Sequence, residues 1–393
     1  MNPFVITGRY VAPEYFCDRE KETAELLSNV ENWRNTVLIS LRRMGKSGLI
    51  SHLYHHPQVV AKYETFFIDI YDTCSVEDFV LLLGKEIVSR LQPKGERLVE
   101  KFVRTVTSLR LVLGTDILTG LPSFNIEAGE IKDPVKTMEQ IFSFLESSER
   151  PCVVAVDEFQ QIADYHDGKK VIARLRTLVQ SCRQTRFIFA GSNRRMMSDL
   201  FNSPSEPFFM SCTPIHLEPI DRERYADFVC GHFRAAGKSV NPECVEYVYE
   251  LFDGHTWFIQ YVFNRLYEMT EKGSAVTIEK AHEAVRFILD LFEPSFQELF
   301  ARMSERQRSL LTAIAKSGSV SSPTGVEFIS RYGLRSASAV QGALRPLIKD
   351  ETVSYVNGHY LISNRFFSYW LAGRYLLISF FFCGRISSCG GLF

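Results

Sequence analysis

Polar and apolar positions along the chain fall into two kinds of segment. Short, mostly apolar runs stand at Thr36–Ile39 ("TVLI"), 65–72 ("TFFIDIYD"), 151–157 ("PCVVAVD") and 186–193 ("RFIFAGSN"), and "IHLEPI" (215–220) is a candidate fifth strand. A run of this length without polar alternation predicts a strand covered on both faces, as in a parallel sheet. Between the runs lie longer stretches whose apolar residues recur every three or four positions: "EYFCDREKETAELLSNVENW", "VEDFVLLLGKEIVSRL", "PVKTMEQIFSFLESS" and "DGKKVIARLRTLVQSCRQ". That spacing predicts helices with one apolar face, the first of them capped by Asp18. Five strand–helix alternations argue for an α/β fold with a doubly wound, mostly parallel sheet. Residues 110–135 mix apolar, Gly and Pro character and read as a small insertion.

The pattern then changes. From Asp221 to about Pro294 it is helical, with no clear strand. Beyond residue 295, "MSERQRSLLTAIAKSG" is a helix capped by Ser304, and "PTGVEFISRYG" is a second helix stopped by Gly333. "SASAVQGALRPLIKDE" is a third, in which Pro346 is expected to break or kink the helix. "TVSYVNGHYLIS" is a hairpin on an Asn357-Gly358 turn. Three helices and a hairpin outline a winged helix. The expected organisation is a core over 1–220, a helical lid over 221–294, a winged helix over 295–372 and an apolar tail of unknown role over 373–393.

With 393 residues and 46% hydrophobic content, the chain can build two or three real cores. A net charge of −1 implies no global attraction to nucleic acid or membrane. The winged-helix region departs from that balance: residues 297–375 hold ten Lys and Arg against five Asp and Glu, with Arg335, Arg345 and Lys349 on the third helix. A basic recognition helix suits DNA docking, although such a domain also serves as a protein-packing module. Nine cysteines, an odd number with no C-x-x-C pair, argue against a disulfide framework or zinc site and suit a reducing, cytoplasmic setting. No signal peptide is read in "MNPFVITGRYVAPEYF", and no run of 18 apolar residues exists to form a transmembrane segment. The tail from Tyr375 to Cys383 is too short to span a bilayer. It reads as a strand or helix packed on the body, with an interfacial anchor as the alternative.

Candidate chemistry begins after the first strand. Ser40-Leu41-Arg42-Arg43-Met44-Gly45-Lys46-Ser47, followed by Gly48, fits the phosphate-loop spacing G-x-x-x-x-G-K-[ST] with Ser40 in the first glycine's place. Gly45 lets the backbone approach a phosphate, and the loop's N–H groups form an anion nest ahead of a helix. Lys46 is placed to reach the β- and γ-phosphates of ATP, and the Ser47 hydroxyl to ligate Mg²⁺. A second site is then required at a neighbouring strand's end. "VVAVDEF" supplies it about 110 residues later: Asp157 for Mg²⁺ and Glu158 as general base for the attacking water. At the next strand's end, Ser192 and Asn193 stand where a γ-phosphate sensor sits, or cap the following helix. Arg194 and Arg195 are candidates to stabilise phosphoryl charge, within the subunit or between copies of a homo-oligomer, or are surface arginines.

These motifs, with "YFCDREKE" ahead of them and "DGHTWFIQ" and the winged helix behind, resemble the archaeal-type AAA-like P-loop ATPases, which lie near the STAND ATPases. The resemblance spans roughly residues 2–372 and implies a sheet of order 5-1-4-3-2, a helical lid and a winged helix. It matches "FCDREKE" to a box F-x-G-R-E-x-E, with Asp18 in the glycine's place, making Phe16 and Arg19 base-side contacts. Arg19 pairing with a neighbouring helix is the alternative. It matches "GHTWFIQ" to a lid motif in which Thr256 replaces a proline, leaving His255 and Trp257 to pack over the site. The implied activity is slow, Mg²⁺-dependent ATP hydrolysis in a nucleotide switch coupled to the winged helix. A scaffold that binds nucleotide without hydrolysis is the rival reading. A small-molecule kinase fits less well, because such kinases seldom place Glu directly after the Mg²⁺ Asp and need no winged helix.

Overall fold

The computed structural model describes residues 1–6, 12–115, 122–127 and 131–375. Five strands form the central sheet: β1 (Thr36–Ile39), β2 (Glu64–Asp69), β3 (Cys152–Asp157), β4 (Thr185–Gly191) and β5 (Thr213–His216). Their spatial order is β2-β3-β4-β1-β5 and every pair is parallel, the 5-1-4-3-2 order read from the opposite edge. All residues of β1, β3 and β4 are buried, which is why their sequences show no polar alternation. Alternate side chains feed two cores. Val37, Ile39, Val154, Val156, Phe187 and Phe189 pack with the helices Val76–Leu91, Pro134–Glu146 and Gly168–Ser181. Leu38, Val153, Ala155, Ile188 and Ala190 pack with α1 (Glu20–Glu31) and α2 (Lys46–His55) on the opposite face. The strand order reverses beside β1, so a crevice opens at the carboxyl ends of β1, β3 and β4.

The residue 110–135 region contributes an antiparallel hairpin, Arg110–Thr115 with Pro122–Glu127. Asp18 does not cap α1. The N-cap is Arg19, in a left-handed conformation with no side-chain cap, while Asp18 Oδ2 accepts from the Asp221 amide at 3.1 Å. The left-handed turn at Asp18 and Arg19 carries the carboxylate away from the helix end.

The chain divides into two compact units, Thr7–Asp221 and Met1–Ile6 with Arg222–Phe393. In the second unit Phe4 is fully buried among Phe228, Phe233 and Phe263, with ring centroids 5.7–5.9 Å away. Asn2 donates to the Asn264 carbonyl, and Asn264 in turn to the Phe4 carbonyl. The helices Arg222–Ala235, Pro242–Leu251, Thr256–Met269 and Ile278–Ala301 build most of the segment after the sheet. It is not strand-free: Ser239–Val240 and Ala275–Val276 pair in parallel, each too short to leave a periodic signature. Ile278–Ala301 continues through Pro294.

The winged helix follows. Glu305–Ser317 starts at a capping box formed by Ser304 and Gln307, and Val326–Arg331 is the second helix, with Gly333 left-handed beyond it. The third, Ala337–Lys349, is not broken at Pro346. The proline lies in the last turn of the helix. Arg335 falls just ahead of the Ser336 N-cap rather than within the helix. Strands Val353–Val356 and His359–Ile362 form the wing, with Asn357 and Gly358 both at positive φ as a two-residue turn requires. Apart from residues 373–375, which end the helix Arg365–Tyr375, the apolar tail lies outside the described residues.

Candidate functional site

The loop between β1 and α2 is set by backbone conformation. Ser40 is fully buried, its amide donates to the Gly191 carbonyl at 3.3 Å, and its hydroxyl donates to the Leu41 carbonyl at 2.8 Å. A small side chain therefore fits where the template has glycine. Arg43 (φ +64) and Gly45 (φ +92) are both left-handed and turn the chain sharply around buried Met44. Gly45 is the N-cap of α2, a conformation that glycine adopts without strain. The first-turn amides of α2, at Lys46, Ser47 and Gly48, have no acceptor within the helix and leave a positive pole at the crevice. Arg42 and Arg43 are exposed, and the Arg42 guanidinium lies 5.0 Å from the centre of the Tyr71 ring.

Residues far apart in sequence meet here. Ser47 Oγ donates to Asp157 Oδ2 at 2.5 Å, across 110 residues. Lys46 Nζ, nearly buried, stands 3.7 Å from Glu158 Oε1. Glu158 is left-handed (φ +54), so the chain turns abruptly off the end of β3. Its Oε2 accepts from the Ser192 hydroxyl at 2.6 Å, the Ser192 amide at 3.2 Å and Gln160 Nε2 at 2.6 Å. Burial is the largest influence on Asp157 and pushes its carboxyl above the ordinary range, aided by Glu158 and Asp69 and opposed by Lys46 and Ser47. Burial also acts upward on Glu158, but Lys46 and the Ser192 and Gln160 donors outweigh it and hold that carboxyl below its ordinary value. The two neighbouring carboxyls are thus shifted in opposite directions, Asp157 up and Glu158 down.

The remaining expected residues each have contacts of their own. Asn193 caps the helix Arg194–Asn202, accepting from the Met196 amide, whereas Ser192 goes to Glu158. Arg194 Nη2 lies 3.5 Å from the Leu217 carbonyl and 3.4 Å from Glu218 Oε1, past the end of β5. Arg195 is exposed and lies 3.9 Å from Asp199. Arg19 is buried; it pairs with Glu22 on α1 at 2.9 Å and approaches the Met44 carbonyl of the loop at 3.5 Å. Phe16 stacks on His52 of α2, centroids 4.2 Å apart. In the second unit, buried His255 lies against Phe258, and Trp257 sits among Phe258, Tyr261 and Phe366.

Sequence reasoning passed over three residues. Gln160 follows the Asp-Glu pair by two positions. Asp69 ends β2 in direct register with Asp157. Together with Arg42, Tyr71, Asp72 and Glu158 it lines an open cleft of about 400 Å³. Gly191 faces Gln160 so closely that a Cβ there would clash. Asp69 was visible as an acid closing an apolar strand; the other two were not marked.

The profile of an ATPase domain predominantly from Archaea matches residues 16–262, and that of a probable winged helix domain matches residues 294–373. Among solved structures, a Walker-type ATPase of Pyrococcus abyssi is similar with TM-score 0.64 and 20% identity, covering 94% of this chain and 99% of that one. The ORC2 protein of Aeropyrum pernix, in ADPNP–ADP complexes, gives TM-score 0.56 and 11% identity over 94% and 97% of the two chains. Cdc6p of Pyrobaculum aerophilum gives 0.50 and 13% over 94% and 97%. At such identities these likenesses bear on the fold alone. No curated protein matches the chain. The ATPase profile spans well over half the sequence, and with the Lys46–Glu158 and Ser47–Asp157 contacts across the crevice it places the chain in the family of ATPase domains found predominantly in Archaea.

Proposed function

We propose that the protein hydrolyses ATP slowly with Mg²⁺ and works as a nucleotide switch, its core (1–220) and helical lid (221–294) coupled to the winged helix (295–372). The observation that carries this reading is the convergence of Lys46, Ser47, Asp157, Glu158 and Ser192 from three strand ends. Ser47 and Asp157 present hydroxyl and carboxylate oxygens to one point, a donor set that suits a hard divalent cation. They would hold Mg²⁺, which when bound neutralises charge on the β- and γ-phosphates.

The phosphates would lie on the amides of the loop and of α2, with Lys46 exchanging its contact to Glu158 for phosphate oxygens. Arg42, Arg43, Met44 and Gly48 contribute backbone to that cradle, and Ser40 shapes its start. Arg19, close to the Met44 carbonyl, ties the N-terminal box to the loop, while Phe16 lines the base side. Glu158 accepts a proton as a water oxygen bonds to the γ-phosphorus and the bond to the bridging oxygen breaks, releasing ADP and phosphate. Ser192 holds Glu158 in place. Arg194 is a candidate to neutralise phosphoryl charge only if its contacts past β5 are released.

The winged helix exposes Arg335, Arg345 and Lys349, which supports contact with a nucleic-acid backbone. Self-association and a cytoplasmic setting belong to the same proposal. Among the described residues no helix is long and apolar enough to cross a membrane.

Glu158→Gln tests the reading, because the amide keeps the shape and loses the basicity. ATP–Mg²⁺ should bind as tightly as in wild type, while turnover falls by ~10²-fold or more. Normal hydrolysis by the variant would place the base elsewhere. Binding without turnover in the wild type, alone or with DNA, would favour the scaffold.

A further inference from the structure

Glu158 offers two oxygens, and they stand in different surroundings. Oε1 looks towards Lys46, whereas Oε2 takes all three short donors, two from Ser192 and one from Gln160. The Gln160 side chain is buried at the start of the 3-10 turn Phe159–Asp164 that follows β3. Its own Oε1 has no hydrogen-bond partner among the described residues. That oxygen sits over Gly191: a Cβ on Gly191 would lie 2.4 Å from it and 2.4 Å from Met197 Sδ. Turning the amide over would set its oxygen 2.6 Å from the Glu158 carboxylate, oxygen against oxygen, so the NH₂ group must face Glu158. The chain thus gives that buried acceptor no partner among the described residues and keeps residue 191 without a side chain, and the result is one donor on Glu158. A buried orphan acceptor calls for a functional account.

We propose that Gln160 is a positioning residue for Glu158: by fixing Oε2 it leaves Oε1, the oxygen facing Lys46, as the one that takes the proton from water. This rests on the reading of Glu158 as general base. Gln160 acts through Glu158: it limits rotation of the carboxylate, so its removal reduces the fraction of time the base is aligned.

The test is Gln160→Met in the full chain, a substitution of similar volume that removes both the donor and the orphan oxygen. At saturating ATP–Mg²⁺, kcat should fall ~10-fold. KM and the calorimetric Kd for ATP should stay within about twofold, and the unfolding temperature should be unchanged or higher. In a Glu158→Gln background the same change should leave residual turnover untouched, since no carboxylate remains to align. A kcat within twofold of wild type overturns the proposal, as does an equal loss in both backgrounds, which a merely structural role would produce. If Gln160→Met does not fold, Gly191→Ala displaces the amide by contact; a similar kcat loss supports the proposal and an unchanged kcat overturns it. A fully active Glu158→Gln, or a wild type without turnover, removes the general base itself and the Gln160 proposal with it. A dead Glu158→Gln beside a normal Gln160→Met removes only the latter.

Discussion

Lys46→Met removes the ammonium that stands beside Glu158 and keeps the buried stem, so it isolates the charge. At 3.7 Å and an effective dielectric of ~20, the Lys46–Glu158 attraction is about 4 kcal/mol. The net loss is smaller, because the ammonium no longer has to be desolvated and Glu158 keeps its donors from Ser192 and Gln160; about 2 kcal/mol is expected. For a unit the size of Thr7–Asp221 this lowers the unfolding temperature by roughly 4–8 °C at pH 7 without ligand.

The pH dependence has a definite sign. In the wild type Glu158 is held below its ordinary value, so its contribution is present above the ordinary carboxylate range and is lost as pH falls through the depressed value. Without Lys46 one of the lowering influences is gone and the carboxyl protonates at a higher pH than in the wild type. The gap in unfolding temperature between wild type and variant is therefore full at pH 7 and narrows as pH falls from the point where the variant's Glu158 protonates through the wild type's depressed value. With nucleotide, affinity should weaken at least tenfold, about 1.4 kcal/mol, because the only side-chain cation at the phosphate loop's glycine–lysine step is gone. Thermal unfolding over pH and calorimetric titration of ATP read both effects. Equal unfolding temperatures at pH 7 would mean that the Lys46–Glu158 contact stabilises nothing, and unchanged ATP affinity would sink the phosphate-loop assignment.

Asp157→Asn should act differently from Glu158→Gln: losing the carboxylate that meets Ser47 should weaken ATP binding in Mg²⁺ and leave the residual affinity in excess chelator unchanged, as a titration in the two buffers would read. For the winged helix, reversing exposed Arg335 and Lys349 to Glu should weaken binding to all duplexes and flatten its salt dependence, measured by anisotropy at several salt concentrations. Duplex binding that is absent in the wild type or indifferent to the reversal would assign this face to protein packing.

Much of the architecture is local and was legible in the chain. Both-face burial is written in the apolar runs of β1, β3 and β4, the wing turn in Asn357-Gly358, and the Ser304 cap in the residues beside it. Each depends on neighbours within about four positions, which is the reach of backbone sterics and side-chain caps. The strand order was legible only through the family resemblance, since hydrophobic pattern does not say which strands are adjacent. Tertiary structure decided the rest. It moved Asp18 from a cap to the Asp221 amide, sent Arg194 past β5, carried the third winged-helix segment through Pro346 and buried Phe4 in the second unit. It also brought Gln160, an unremarkable polar residue in sequence, to the Oε2 of Glu158 against Gly191. The difference is one of range. Backbone conformation is chosen by the residues at hand, whereas a buried polar group must find its partner wherever packing and sheet order deliver one, here as far as 110 residues away between Ser47 and Asp157.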